Sequence, residues 1–183
     1  MSFPESSTLK VDVRDLVGQP GSMQELHEDV PTPADFGAGL VQVVEDSPMN
    51  LDLRLESVHE GILVSGTASA EATGECGRCL EPITMDLEVP VQELFLYEPD
   101  EALEEDDEDQ QLVVNDYVEL EPVLRDVIVG SLPFQPVCKE DCQGLCDQCG
   151  IRLEDDPDHH HEVIDPRWAA LSELSDLGKT ESN

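Results

Sequence analysis

Residues 51–97 read LDLRLESVHEGILVSGTASAEATGECGRCLEPITMDLEVPVQELFLY and decide the fold, because apolar and polar residues alternate in three successive segments. These segments are 51–55, 62–72 and 83–91. Alternation with a period of two is typical of β-strands that bury one face. The connections at 59–61 and 75–82 are short, which favours an antiparallel meander.

Weaker patterns extend this prediction on both sides. We expect the last of the three strands to continue through 94–97 after a bulge near Pro90. Short strands are predicted at 9–16 and 40–45. Residues 18–39 are rich in Gly, Pro, Asp and Glu, so they are predicted to form a loop.

Two helices are predicted in the C-terminal half. Residues 120–132 place apolar side chains on one helical face, and Pro122 lies in the first turn, where its missing N–H has no helical partner. Residues 165–174 begin with Asp165 as N-cap and Pro166 at the first helical position. The predicted fold class is α+β: an antiparallel, meander-like β-sheet with a packed helix, then a C-terminal zinc-knuckle-like segment and a short helix.

The 183 residues suffice for one ordinary domain with a small appendage. We predict an α+β domain over 1–136, with an acidic mobile insertion at about 98–110 that has too few apolar residues to fold alone. The cysteine cluster and C-terminal helix then occupy 137–177, and 178–183 form a disordered tail.

The formal net charge of −34 restricts the classes of partner. Nucleic-acid affinity comes largely from Lys and Arg at phosphates, and nine basic residues against 43 acidic ones cannot form a broad basic groove. The charge favours a basic protein partner, and the alternative is that it only keeps the protein soluble. The chain begins without the pattern of a signal peptide, and no run is long and apolar enough for a membrane span, so we expect a cytoplasmic protein.

The six cysteines indicate metal binding rather than disulfides, because cytosolic thiols are kept reduced. The pair Cys146-Asp-Gln-Cys149 has the spacing of a zinc knuckle. The favoured set of ligands for a structural zinc ion is local, since its closure needs no long-range contact; it is Cys138, Cys142, Cys146 and Cys149.

A second C-x-x-C pair, Cys76 and Cys79, lies at the turn between two predicted strands. It could join Cys146 and Cys149 in a ribbon-like site, or all six cysteines with two of the residues His159–His161 could supply eight ligands for two zinc ions. Cys76, Cys79, His159 and His161 are therefore candidates for a second metal site. The alternatives for Cys76 and Cys79 are a reduced pair that packs the turn, or a redox pair.

Motifs that would indicate an enzyme are missing from the sequence. It contains no G-x-S-x-G, no Walker loop and no Gly-rich dinucleotide fingerprint. A zinc ion with four cysteine ligands has no open coordination position, so it would be structural. We therefore predict that the protein is not an enzyme.

Four stretches together resemble the YceD-like family of bacterial proteins associated with accumulation of large-subunit ribosomal RNA, in its actinobacterial-type branch with a C-terminal cysteine cluster. They are GECGRCLEPI (74–83), VELEPVLRDVIVGSLPFQPVC (118–138), CQGLCDQCGIRL (142–153) and IDPRWAALSEL (164–174). Cys76, Arg78 and Cys79 match the family's C-x-R-C motif. Many members with the tail cysteines have a further C-x-C pair where this chain has DHHHE (158–162), which leaves open whether histidine replaces cysteine there.

The resemblance implies a role in ribosome biogenesis, and the family's genes commonly lie beside that of a small basic large-subunit ribosomal protein. Our first hypothesis is a non-enzymatic factor whose acidic surface holds a basic ribosomal protein or an rRNA–protein precursor. The second is direct RNA binding through a zinc knuckle and Arg78. The third is a thiol redox sensor that uses Cys76 and Cys79. The sequence leaves the oligomeric state open.

Overall fold

A computed structural model describes residues 9–98 and 110–161 of the chain. The strands are β1 (Lys10–Asp12), β2 (Met23–Pro31), β3 (Gly37–Ala38), β4 (Val41–Val43), β5 (Pro48–Ser57), β6 (Gly61–Glu75), β7 (Pro82–Leu96) and β8 (Tyr117–Glu119), and the helix is α1 (Glu121–Ser131). An antiparallel sheet with one helix in these residues agrees with the predicted α+β class.

Strands β5, β6 and β7 form the predicted meander at the centre of a six-stranded antiparallel sheet. β2 pairs with the outer edge of β5, and the short pair β4–β3 continues along β6 beyond the end of β5. β6 and β7 pair one-to-one from Gly61↔Leu96 to Glu75↔Pro82. The predicted bulge near Pro90 is therefore wrong. Pro90 pairs with Thr67 without a break, which proline tolerates because β7 has no second strand partner at this position among the described residues.

The alternation predicted for these strands is confirmed in the burial of their side chains. One face of the sheet forms the core together with α1, and the other faces solvent. Apolar side chains that the core buries almost completely include Leu51, Leu53, Leu55, Ile62, Val64, Ala68, Phe95, Leu124 and Ile128. Pro122 lies at the start of α1, as predicted.

The predicted loop over 18–39 is wrong, because this segment contains β2 and β3. β2 pairs with β5 over nine residues, yet only Leu26 and Val30 of its side chains are buried. Such a polar, charged strand is typical of a sheet edge, where charge discourages pairing with other chains. Its composition therefore resembles that of a loop.

Three sequence predictions concern residues outside the described ranges: the helix at 165–174, the tail at 178–183 and nearly all of the acidic insertion. Within the described ranges, no helix has the length and apolar character needed to cross a membrane. The domain boundary at 136 stays a prediction. The six-residue connection between β6 and β7 is the part of the site that the fold positions most clearly. Two paired 15-residue strands hold it at their tip.

Candidate metal centre

The connection between β6 and β7 is a tight turn built around Cys76 and Cys79. The Cys76 N–H donates to the Glu81 carbonyl at 2.8 Å, and the Leu80 N–H donates to the Cys76 carbonyl at 2.9 Å. Leu80 has φ +60°, in the left-handed region that an L residue with a large side chain seldom adopts. The turn therefore needs one residue with positive φ directly after its second cysteine.

The second C-x-x-C pair folds into the same turn. The Cys146 N–H donates to the Ile151 carbonyl at 2.8 Å, and the Gly150 N–H donates to the Cys146 carbonyl at 2.9 Å. Gly150 has φ +73° at the position that Leu80 occupies in the first turn. The chain thus contains two knuckles of equal geometry, and the second uses the residue type that the backbone prefers.

The first knuckle belongs to a cluster of four cysteines. It consists of Cys76, Cys79, Cys138 and Cys142, whose sulfur atoms all lie within 4.8 Å of one another. The Sγ atoms of Cys76 and Cys142 are 3.9 Å apart, and those of Cys79 and Cys138 are 3.6 Å apart. In a tetrahedral zinc site with Zn–S bonds of about 2.3 Å, sulfur atoms lie about 3.8 Å apart. Three of the four side chains are buried. We call this set cluster 1.

The second knuckle belongs to a separate cluster that includes two histidines. It consists of Cys146, Cys149, His159 and His161. The Sγ atom of Cys149 lies 3.2 Å from Nε2 of His159 and 3.3 Å from Nε2 of His161. The two Nε2 atoms are 2.9 Å apart, slightly closer than the ~3.4 Å expected for tetrahedral zinc. We call this set cluster 2.

These clusters divide the cysteines differently from the favoured local set. The structure does not bring the four tail cysteines together: Cys138 and Cys142 join the β6–β7 turn, and Cys146 and Cys149 join the histidines. A second site that combines Cys76 and Cys79 with histidines is likewise not formed. The arrangement matches the third option, with six cysteines and two histidines in two groups. His160 belongs to neither cluster, and its Nδ1 lies 3.0 Å from the Asp158 carbonyl oxygen.

Arg78, a candidate contact for RNA or a partner, instead connects the two chain segments of cluster 1. Its Nη1 donates to the carbonyls of Glu140 at 3.1 Å and Cys142 at 2.9 Å. Its own carbonyl accepts from the Leu145 N–H at 3.1 Å. Gly144 has φ +80°, and a Cβ there would lie 3.0 Å from the Arg78 carbonyl oxygen. The middle of the first knuckle thus positions the segment that leads to the second.

Two further cations near the knuckles form ion pairs with carboxylates. Arg152 pairs with Glu81, which ties the second knuckle to the first, and Lys139 pairs with Glu154. Pairs between residues so far apart in sequence leave no local signal, so the sequence did not reveal them.

Backbone amides favour one thiolate in each knuckle. Burial raises the pKa of Cys76, but N–H groups of Cys138, Arg78 and Cys79 outweigh it and lower that pKa to about 6. N–H groups of Gln148 and Cys149 lower the pKa of Cys146 to about 6. Because thiolates are the form that ligates metal, each knuckle supplies a ligand that is ready near neutral pH.

The pKa of Cys138 is raised to about 12, because its thiol loses water beside the other cluster 1 sulfur atoms although the residue as a whole is exposed, and because the neighbouring thiols oppose its ionisation. Four thiolates cannot share so small a space without a cation. Both clusters could hold a metal ion, and the described cysteines form no disulfide.

The solvent face of the sheet is the second notable surface, and we call it the acidic face. Its carboxylates come from β2, β5, β6 and β7 and are Glu25, Asp29, Asp52, Glu56, Glu71, Glu75, Asp86 and Glu88. Glu71 and Asp86 lie directly opposite each other on paired strands. Two like charges in that position destabilise a sheet. On this face, Arg54 pairs with Glu56 and His27 contacts Asp52.

The Lys and Arg side chains of the described residues already have partners. Apart from Arg78, each of them pairs with a carboxylate; the pairs are Lys10–Glu119, Arg14–Asp116, Arg54–Glu56, Arg125–Glu121, Lys139–Glu154 and Arg152–Glu81. A nucleic-acid phosphate would have to displace these carboxylates. The described part of the chain has no group of unpaired cations that could bind such a phosphate.

Comparison with known proteins gives a consistent result. Residues 64–175 match the family described as Large ribosomal RNA subunit accumulation protein YceD. An uncharacterized protein of Mycobacterium tuberculosis is 46% identical over 171 residues, which cover 92% of this chain and 82% of the relative. An uncharacterized protein of Mycobacterium leprae is 39% identical over 170 residues, 92% of this chain and 78% of that relative.

A more distant relative is the uncharacterized protein YlbN of Bacillus subtilis, 27% identical over 133 residues, which cover 70% of this chain and 74% of the relative. No solved structure matches the chain significantly. The family match spans both knuckles, α1 and most of the meander, and includes the four stretches quoted above in whole or nearly so. The chain therefore belongs to the YceD family of large ribosomal RNA subunit accumulation proteins.

Proposed function

We propose that this protein is a non-enzymatic factor in ribosome biogenesis that supports accumulation of large-subunit rRNA by holding a basic ribosomal protein on its acidic face. The family name supports the role in rRNA accumulation. We choose a basic partner because Glu71 and Asp86 lie directly opposite each other on that face. A bound Lys or Arg would relieve this repulsion, so the face favours a cationic partner.

The metal in cluster 1 is proposed to be zinc, in a structural role. Four cysteines at tetrahedral spacing are typical of structural zinc, and such a site has no open position for catalysis. Cys76 and Cys79 come from the connection between β6 and β7, and Cys138 and Cys142 come from the segment after α1. The ion would therefore fasten that segment to the tip of the β6–β7 hairpin. A cytoplasmic location, where these thiols stay reduced, is part of the proposal.

The two alternative functions have less support. Direct RNA binding is disfavoured because the described cations are already paired and Arg78 donates to two backbone carbonyls. A zinc ion bound by four thiolates would itself carry negative charge and would not reverse the field. A redox pair is disfavoured because Cys76 and Cys79 share their cluster with two further cysteines.

The test is capture of purified large-subunit ribosomal proteins by the tagged full chain at rising salt. We expect binding of basic proteins at low salt that weakens as screening increases. Neutralisation of the acidic face should reduce capture, and an equal charge change elsewhere should not. The face variant is Glu71→Gln, Asp86→Asn, Glu88→Gln, and its matched control is Glu28→Gln, Glu60→Gln, Glu140→Gln, all at residues of the described surface.

Two results would contradict the proposal. One is equal loss of capture in the face variant and its control, which would mean that only net charge matters. The other is capture of deproteinised large-subunit rRNA in place of protein, which would favour direct RNA binding. In cells that lack the gene, the face variant should also fail to restore the ratio of large-subunit to small-subunit rRNA.

A further inference from the structure

We propose that cluster 2 is a second zinc site, separate from cluster 1, which exchanges its ion with the surroundings while cluster 1 retains its own. This inference rests on the proposal that zinc is the resident metal. Two cysteines and two histidines are a common structural zinc set. Because His159 and His161 both direct Nε2 at Cys149, the ligand atoms already converge.

The two clusters differ first in access from solvent. In cluster 1, Cys76, Cys79 and Cys142 are only 0%, 6% and 4% exposed, and Cys138 is its one exposed ligand. In cluster 2, by contrast, Cys149 and His161 are exposed. A cavity of about 340 Å³ opens beside cluster 2, and Cys146 and all three consecutive histidines line it. A competing ligand can therefore reach the metal position of cluster 2 directly.

They differ also in what must move before the ion leaves. The ligands of cluster 2 all lie within residues 146–161, so the site can open by a local movement of one short segment. Cluster 1 joins the sheet to the segment after α1, and its opening requires these two parts to separate. Arg78 and the hydrogen bond from the Gly77 N–H to the Pro136 carbonyl, 2.8 Å long, oppose that separation.

The locality of cluster 2 has a further consequence. Its turn closes through its own hydrogen bonds, and Leu145 and Arg152 form a β-bridge across it. The site should therefore form again after its ion is removed, without unfolding of the sheet. Removal of this ion would release residues 145–161 and its return would order them again, since metal binding and local folding are coupled.

The experiment follows zinc release from the zinc-loaded full chain with 4-(2-pyridylazo)resorcinol, while native mass spectrometry counts the ions that remain. We expect two zinc ions per chain, released in two phases. The fast phase should be at least about tenfold faster than the slow one, because local opening of cluster 2 needs far less free energy than separation of the sheet from the segment after α1. Added zinc should restore the fast phase.

Variants assign the phases. His161→Ala should remove the fast phase and leave one ion, and the matched control His160→Ala should keep both phases because His160 lies outside the cluster. Cys79→Ser should remove the slow phase. Replacement of zinc by cobalt provides an independent readout, because the absorption lost in His161→Ala should be that of a mixed sulfur and nitrogen site.

Release of both ions in a single phase would overturn the inference and leave the proposed zinc in cluster 1 intact. Retention of the fast phase in His161→Ala would also overturn it. One ion in the wild type that survives His161→Ala would show that cluster 2 binds no zinc. Absence of any zinc would instead refute the proposal on which the inference rests.

Discussion

Replacement of Arg78 by alanine distinguishes a positioning role from a role in RNA contact. The variant loses two hydrogen bonds from a charged donor, to the carbonyls of Cys142 and Glu140. The partly buried bond to Cys142 should contribute about 1.5–3 kcal/mol, and the exposed one to Glu140 only about 0–1 kcal/mol because water competes for it. We therefore expect a loss of about 2–3 kcal/mol in the free energy that holds residues 138–145 against the hairpin.

The assay measures the urea concentration at which the cysteines of the zinc-loaded protein become half-reactive toward a thiol reagent. With a urea dependence of about 1–3 kcal/mol per molar, this loss should lower the midpoint by about 1 M. Arg54→Ala is the matched control, because it removes the same charge and a single exposed pair with Glu56. Equal midpoints for Arg78→Ala and Arg54→Ala would refute the reasoning, and loss of RNA binding with an unchanged midpoint would restore Arg78 as an RNA contact.

Three further substitutions test the fold. Gly66→Ala should lower the free energy of unfolding by about 3 kcal/mol or more, since the new Cβ would lie 2.1 Å from the Asp52 carbonyl oxygen; an unchanged urea midpoint would contradict this close approach. Leu124→Ala should lower the free energy of unfolding by about 2–5 kcal/mol, because this side chain of α1 is fully buried in the core. A loss below ~1 kcal/mol would mean that α1 does not pack on the sheet. Leu80→Gly should leave the free energy of unfolding unchanged or raise it by up to about 1 kcal/mol, because glycine adopts φ +60° without strain, as Gly150 does at φ +73° in the second turn. A clear loss of thermal stability would argue against the equivalence of the two knuckles.

The sequence predicted the parts of the fold that depend on local alternation. The side chains of 51–55 and 62–72 alternate because each strand has a buried and an exposed face, and this period is visible without knowledge of neighbours. β2 was missed for the complementary reason. An edge strand that buries only Leu26 and Val30 is defined by its hydrogen bonds to β5, and backbone pairing leaves no trace in composition.

The sequence predicted the two C-x-x-C turns of the candidate site, but not which further ligands join each turn. C-x-x-C spacing indicates a knuckle wherever it occurs, so both knuckles could be found. Which further ligands each knuckle meets depends on the long β6–β7 hairpin, whose tip brings Cys76 and Cys79 to Cys138 and Cys142 across some sixty residues of sequence. Gly150 indicates only the positive φ that the turn requires after its second cysteine, and it carries no information about the remaining ligands.

X-ray absorption at the zinc edge of the fully loaded protein tests most directly whether eight ligands are divided between two clusters. Four sulfur ligands in cluster 1, and two sulfur with two nitrogen ligands in cluster 2, give an average of three sulfur and one nitrogen atoms per ion. We expect this average, with the multiple scattering typical of imidazole. A spectrum of four sulfur ligands without imidazole, at one ion per chain, would contradict the division.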